Sequence, residues 1–226
     1  MKRLTVMSLG LLACSLVQAA PTLDTDQQKL SYTIGYQAGS SLNRASVQVD
    51  QDTFVAGFNA GLEGKTPLLT PPQMQQVMVN FQKTMSTKLQ AIFAKQSMDN
   101  AKSGSLFLAA NKGKPGVKVL PSGVQYKVIT EGTGSKPALT DTVKVDYEGT
   151  LTNGKVFDSS YARHTPATFK LNQVIPGWGQ ALTQMPEGST WMIYIPSNLA
   201  YGMQAPSSIG PNQVLIFKVH LIKVNP

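Results

Sequence analysis

Residues 147–181 read YEGTLTNGKVFDSSYARHTPATFKLNQVIPGWGQA, and the fold turns on them. Val143, Val145 and Tyr147 alternate with Lys144, Asp146 and Glu148, the period of two that a half-buried strand requires. Asn153-Gly154 offers the left-handed backbone of a tight hairpin turn. The chain returns through Lys155-Val156-Phe157-Asp158, which sets an aromatic and a carboxylate side by side. Farther on, Ile175-Pro176-Gly177-Trp178 reads as the start of a short helix. Pro176 suits the first helical position, where no amide hydrogen is needed. The proline also holds Ile175 extended, which leaves the Ile175 N–H free to meet a ligand.

Around this stretch the pattern from Val117 onward is one of strands and turns. Strands are predicted at 117–120, 124–131, 142–151, 155–157, 190–196 and 214–224. They form an antiparallel sheet crossed by one short helix at 176–184. Glu131-Gly132-Thr133-Gly134-Ser135-Lys136 lacks the spacing of a phosphate loop and reads as a turn. His164 and His220 stand apart, without metal-site spacing, and no nucleophile–base arrangement is visible. Neither a metal nor a cofactor is expected.

Before Pro115 the chain is helical. Lys2 and Arg3, an apolar run over 4–12 and Val17-Gln18-Ala19 form a leader cleaved after Ala19. Leu11-Leu12-Ala13-Cys14 offers a rival lipoprotein box around the single cysteine of the chain. Either reading predicts an exported protein, in the periplasm or at the outer membrane or cell surface. The segment 24–26 caps a first short helix with Leu30, Ile34, Ala38 and Leu42 on one face. Asp50 or Asp52 caps a second, with the stripe Phe54, Phe58 and Leu62, and Gly64 closes it. Thr70-Pro71-Pro72-Gln73 opens the longest helix with a capping box. Met74, Met78, Phe81, Met85, Leu89 and Ile92 form its apolar stripe, read as filler against the first two helices or as a pliable surface for unfolded clients. Beyond Ile92 the stripe thins, and Gly104 weakens the helix by ~1 kcal/mol relative to alanine. The far half is expected to be a solvated, bendable stalk. The segments are therefore 1–19, signal peptide; 20–69, helical; 70–113, connecting helix; and 114–226, the sheet domain.

The ordered words VDYEGTL, GKVFDSS, VIPGWGQAL, LAYG and IGPN resemble the FK506-binding-protein (FKBP) type of peptidyl-prolyl cis-trans isomerase. Together with the leader and helical region, they are similar to the macrophage infectivity potentiator (Mip) branch of bacterial FKBPs. The resemblance implies an α+β protein: helical dimerisation region, long stalk helix, then an FKBP-like antiparallel sheet wrapped on a short helix. It implies a pocket in which Asp158, Tyr201, Phe157 and Trp178 carry catalysis. Tyr147, Arg163, Val174, Ile175, Ile209 and Phe217 would bind substrate, with Trp178 as floor and Tyr147, Phe157 and Phe217 as walls. Asp158, Tyr201 and the Ile175 N–H would hold carbonyls, and Arg163 would keep Asp158 ionised. Proline-containing polypeptides are the implied substrates, FK506- or rapamycin-type macrolides the implied inhibitors, and a homodimer the implied assembly. Ala167 departs from the pattern, standing where many members place another aromatic wall, so a more open pocket is expected. The 203–208 loop lacks the usual glycines, and Gly210 replaces a common proline.

Composition is compatible with this reading. Of 226 residues, 42% are hydrophobic, ordinary for a folded soluble chain, and 14% are charged. The net charge is +8, and without Lys2 and Arg3 it is +6. Lys83, Lys88, Lys95, Lys102 and Lys112 are spaced along a helix rather than clustered, which reads as a solvated face and not a nucleic-acid patch. Two functions stay open: an exported prolyl isomerase, or a non-catalytic chaperone or host-surface module that captures proline-bearing segments in the same pocket.

Overall fold

The computed structural model describes residues 22–226; the leader, its cleavage site and Cys14 lie outside the described residues. By compactness the chain divides at Met74/Gln75. In the first unit, helix α1 spans Asp26–Arg44 and α2 spans Gln51–Leu62. Within the segment 24–26, Thr25 is the cap of α1: its hydroxyl accepts from Gln28 N–H and the Gln28 side chain answers to the Thr25 N–H, two otherwise unmet donors satisfied at once. Asp50 caps α2 through Thr53 N–H. Neither helix has a single buried residue, and Leu30, Ile34, Phe54, Phe58 and Leu62 are all exposed. Helix α3, Pro71–Asn111, starts at Pro71 under a Thr70/Gln73 capping box, as its sequence dictates.

The second unit holds an all-antiparallel sheet in the order β1-β2-β6-β7-β3-β4. Its strands are β1 Val117–Val119, β2 Gln125–Thr130, β3 Thr142–Leu151, β4 Val156–Ser159, β5 Ala167–Lys170, β6 Thr190–Ile195 and β7 Leu215–Val224. Alternation makes one face apolar: Val143, Val145 and Tyr147 on β3, Ile193 and Ile195 on β6, and Leu215, Phe217, Val219 and Leu221 on β7 are buried. Helix α4, Pro176–Leu182, lies across that face and contributes Trp178, Ala181 and Leu182. The approach is close at Gly177, where a Cβ would stand 2.3 Å from a methyl of Ile195. Strand β5 is not among the predicted strands. It has four residues and pairs only with the first half of β3, while β4 takes the second half. The 131–136 segment is a loop fastened to residues 187–189: Gly132 N–H donates to Ser189 Oγ and Gly134 N–H to the Glu187 carbonyl.

The far half of α3 is not a solvated stalk. Ser97, Gly104 and Asn111, seven apart and so on one face, are buried against the sheet domain. Gly104 sets the distance, since a Cβ there would come within 2.7 Å of a Val214 methyl. The glycine that weakens the isolated helix thus permits its docking. At the helix end Asn111 Nδ2 donates to Gln125 Oε1, and Gln125 Nε2 donates to the Leu108 carbonyl. Nearby, Phe107 packs on Tyr194 at 6.0 Å. Met78, Phe81, Leu89 and Ile92, on the near half, remain exposed.

Candidate active site

The β3–β4 hairpin differs in one detail from its predicted form. Only Gly154 takes a left-handed backbone, φ 85°, while Asn153 keeps an ordinary one and uses its side chain to accept from Lys155 N–H. The loop is therefore three residues with a glycine bulge. Between Gly149 and Thr150 the β3–β4 register slips. A bulge re-aims side chains, and here the neighbours Phe157 and Asp158, which strict alternation would send to opposite faces, both line one cavity.

That cavity, about 280 Å³, is walled by Tyr147, Phe157, Phe169 and Phe217, with Trp178 at its base and Asp158, Gln173, Val174, Ile175 and Tyr201 around it. Trp178 is 4% exposed and meets three rings edge to face: Phe217 at 5.2 Å, Tyr147 at 5.3 Å and Phe169 at 5.5 Å. Phe157 meets Phe217 in the same way at 5.6 Å. These edge-to-face contacts suit the ring quadrupoles and fix the floor and walls relative to one another. Gly149 makes room for them, because a Cβ there would lie 2.7 Å from Phe157 and 2.8 Å from Phe217.

The polar side of the cavity is a three-residue cluster. Tyr147 Oη donates to Asp158, Arg163 donates to the other oxygen of the same carboxylate, and Arg163 also donates to Tyr147 Oη at 3.0 Å. The guanidinium sits 5.7 Å from the centre of the Tyr147 ring. Burial works to raise the Asp158 carboxyl, but the hydrogen bonds from Tyr147 and Arg163, with the arginine charge, outweigh it and hold the group below the usual carboxylate range. Burial, then the bond to Asp158, push the Tyr147 phenol upward. Beneath the cluster Ser160 fixes the strand: Tyr147 N–H donates to Ser160 Oγ, which donates to Asp146. A tight turn at 160–164, with His164 at φ 53°, folds Arg163 back over the carboxylate.

Of the residues singled out from the sequence, Tyr147, Phe157, Asp158, Val174, Ile175, Trp178, Tyr201 and Phe217 line the cavity. Arg163 stands behind Asp158 and Tyr147 rather than on the lining. Ile209 lies 7% exposed within the apolar core and is not on the lining. Pro176 is the first residue of α4, and the Ile175 N–H finds no acceptor among the described residues. Phe169 and Gln173 were not singled out. Ala167 sits on β5 and is not on the lining, whereas Phe169, two residues on and so on the same face, is one of the walls. The period-two spacing from Ala167 carried that signal.

Comparison with known proteins gives consistent matches. Residues 133–222 match the family described as FKBP-type peptidyl-prolyl cis-trans isomerase, and 27–128 match the domain amino terminal to it. The chain is 46% identical over 227 residues to the outer membrane protein MIP of Legionella longbeachae, covering 99% of this chain and 97% of that protein. It is 47% identical over 227 residues to the peptidyl-prolyl cis-trans isomerase Mip of Coxiella burnetii, covering 99% of both. The crystal structure of FkpA from Escherichia coli superposes with a TM-score of 0.74 at 32% identity, over 91% of this chain and 99% of that one.

Proposed function

The chain belongs to the FKBP-type peptidyl-prolyl cis-trans isomerases, and from that membership we propose how its pocket turns an X-Pro bond. The enzyme acts on proline-containing polypeptides. An amide resists rotation by about 18–20 kcal/mol because resonance holds it planar. Water stabilises the planar, charge-separated form; a box of aromatic rings does not. Taking the amide out of water, and fitting the twisted geometry better than either planar one, lowers the barrier without a nucleophile or cofactor.

The observation that carries this reading is the edge-to-face aromatic box with a single hydrogen-bonded carboxylate at its rim. The proline ring rests on Trp178 between Tyr147, Phe157, Phe169 and Phe217. The free Ile175 N–H and the Tyr201 hydroxyl hold flanking carbonyls. Asp158, kept ionised by Arg163 and Tyr147, faces the carbonyl that swings during rotation. An FK506- or rapamycin-type macrolide would occupy the same box as an inhibitor. The test is an isomer-coupled assay on a short X-Pro peptide, with and without the macrolide. Peptide turnover that is no faster than the uncatalysed rate would refute the assignment.

Two finer points belong to the same proposal. The apolar faces of α1 and α2, exposed in the single chain, are supported as the seat of a second copy by their size: five large side chains, each more than two-fifths exposed. Export is supported by the sequence of the leader and by the name outer membrane protein carried by one relative. Among the described residues no helix is long and apolar enough to cross a membrane. The Met78–Phe81 face of α3, also exposed, supports an added capacity to hold unfolded clients.

A further inference from the structure

The loop at 206–212 is held from several sides, and one of its holders is helix α3. Asn100 Nδ2 donates to the Pro211 carbonyl at 2.7 Å, and Asn212 Nδ2 donates to Ser97 Oγ at 2.8 Å. Gln96 lies against Gly210, where an added Cβ would come within 3.2 Å of its amide. Gly210 and Asn212 both take left-handed backbone, φ 85° and 53°. From the hairpin side, Lys155 Nζ donates to the Ser208 carbonyl at 2.9 Å. The loop needs this bracing because its own internal bonds are few: Ile209 and Gly210 N–H both turn back to the Pro206 carbonyl.

Asn212 connects two places. Its side chain grips Ser97 on α3, while its backbone N–H donates to the Gly202 carbonyl at 2.8 Å. Gly202 follows Tyr201, the exposed ring on the cavity rim. Two hydrogen bonds and one peptide unit therefore run from the helix to a pocket side chain. Ser97 is 6% exposed, although a serine on an α-helix ordinarily faces water. A buried hydroxyl is kept where it has a partner, and here the partner is Asn212.

We propose that helix α3, through the Ser97–Asn212 and Asn100–Pro211 hydrogen bonds, positions Tyr201 for the isomerase reaction, making Ser97, Asn100 and Asn212 positioning residues outside the pocket. This rests on the isomerase reading of the cavity. A well-placed rim group acts in binding the peptide, so its misplacement falls on KM more than on kcat. The helix that links the two units thereby sets how firmly the rim is formed.

The test uses the full chain and a tetrapeptide series that differs only in the residue before proline. Ser97→Ala removes the acceptor. Asn100→Asp keeps the shape while removing the donor. Asn212→Gly keeps the left-handed backbone while removing the grip. Each is expected to raise KM by about three- to tenfold, the equivalent of one lost hydrogen bond, with kcat within about twofold and altered discrimination across the series. Hydrogen exchange at the Asn212 and Gln204 amides should quicken in step. Asn80→Ala, on the exposed part of the same helix, should change none of these. Unchanged KM in all three variants, or equal loss of kcat, KM and melting temperature, overturns the positioning role. Absence of turnover by the unmutated chain would instead overturn the isomerase reading.

Discussion

Gly149→Ala is the smallest change that should damage the pocket. Gly149 lies on β3 opposite Phe217 of β7 and Asp158 of β4. An added Cβ would stand 2.7 Å from Phe157 Cζ, 2.8 Å from Phe217 Cε1 and 2.9 Å from Phe157 Cε2. Ordinary carbon contacts begin near 3.5 Å, so the two rings must withdraw by roughly 0.8 Å. Phe217 has little space to withdraw into, because it is 5% exposed and already meets Trp178 and Phe157. Phe157, only partly buried and on the cavity lining, is the freer of the two and is expected to take up most of the displacement.

Forcing one methyl into a packed site costs about 1–3 kcal/mol. For a body of this size that is about 2–4 °C of melting temperature per kcal/mol. Displacing a wall of the site by close to 1 Å should reduce kcat/KM by about ten- to a hundredfold. The assay pairs a thermal melt with X-Pro peptide turnover, using Gly113→Ala as control, where the nearest atom to an added Cβ is a carbonyl oxygen at 3.7 Å. A Gly149→Ala enzyme with wild-type turnover and melting temperature would refute the reasoning that this glycine holds open the aromatic box.

Asp158→Ala and Tyr201→Ala should each lower kcat/KM several-fold, Tyr201→Ala mainly through KM and with the melting temperature nearly unchanged, since both side chains are at the rim; full activity in both would sink the site assignment. Trp178→Ala should cost about 3–5 kcal/mol of stability in a denaturant titration, as large buried aromatics do, and should abolish macrolide binding by calorimetry. The depressed Asp158 carboxyl fixes the sign of the acid response. Its contribution to stability is complete above the unfolded value of about 3.9 and is lost only as pH falls through the lower folded value. Activity should therefore be flat in this group from about pH 5 upward. Arg163→Ala should move the acid limb to higher pH in a pH–rate profile. A fragment beginning at Gln75 should be a monomer by sedimentation and keep its peptide turnover, while losing most of its catalysis of a proline-limited refolding reaction; a client touching two linked pockets is held by effective concentration, a short peptide is not. A fragment beginning at Val117 should show raised KM as well, because it lacks Ser97 and Asn100.

Much of the fold and site was legible because strong local rules and tertiary need agree in these places. Alternation over 142–151 and 215–224 needs only one buried face to become β3 and β7. Proline before a glycine and tryptophan needs only a helix start to become α4. The aromatics were legible as a pocket through their ordered motifs, since isolated strand aromatics are more often core. Phe169 escaped because β5 has four residues and borrows all its pairing from β3, so its period-two spacing from Ala167 is too short to mark a strand by itself. For Ile209 the motif identifies the loop but not whether the side chain lies on the lining or in the core, where it is found.

Helix α3 shows the opposite failure, in which local rules pointed the wrong way. Gly104 lowers helix propensity, and Ser97, Asn100 and Asn111 are polar, so the segment reads as a solvated rod with a weak point. Each of these residues is instead selected by what it touches. Gly104 admits Val214 at a distance no side chain would allow, and Asn111, Asn100 and Ser97 pair with Gln125, Pro211 and Asn212. Those partners lie 14 to 115 residues away in sequence, beyond any periodicity a helix can display. A buried polar seam contributes little net energy per bond, about 0.5–1.5 kcal/mol, but leaving one partner unmet costs about 1–3 kcal/mol. Such a seam therefore specifies one docking of the helix more than it strengthens it. A helix docked in one way can deliver its position to Tyr201; one held by interchangeable apolar contacts could slide without the pocket registering it.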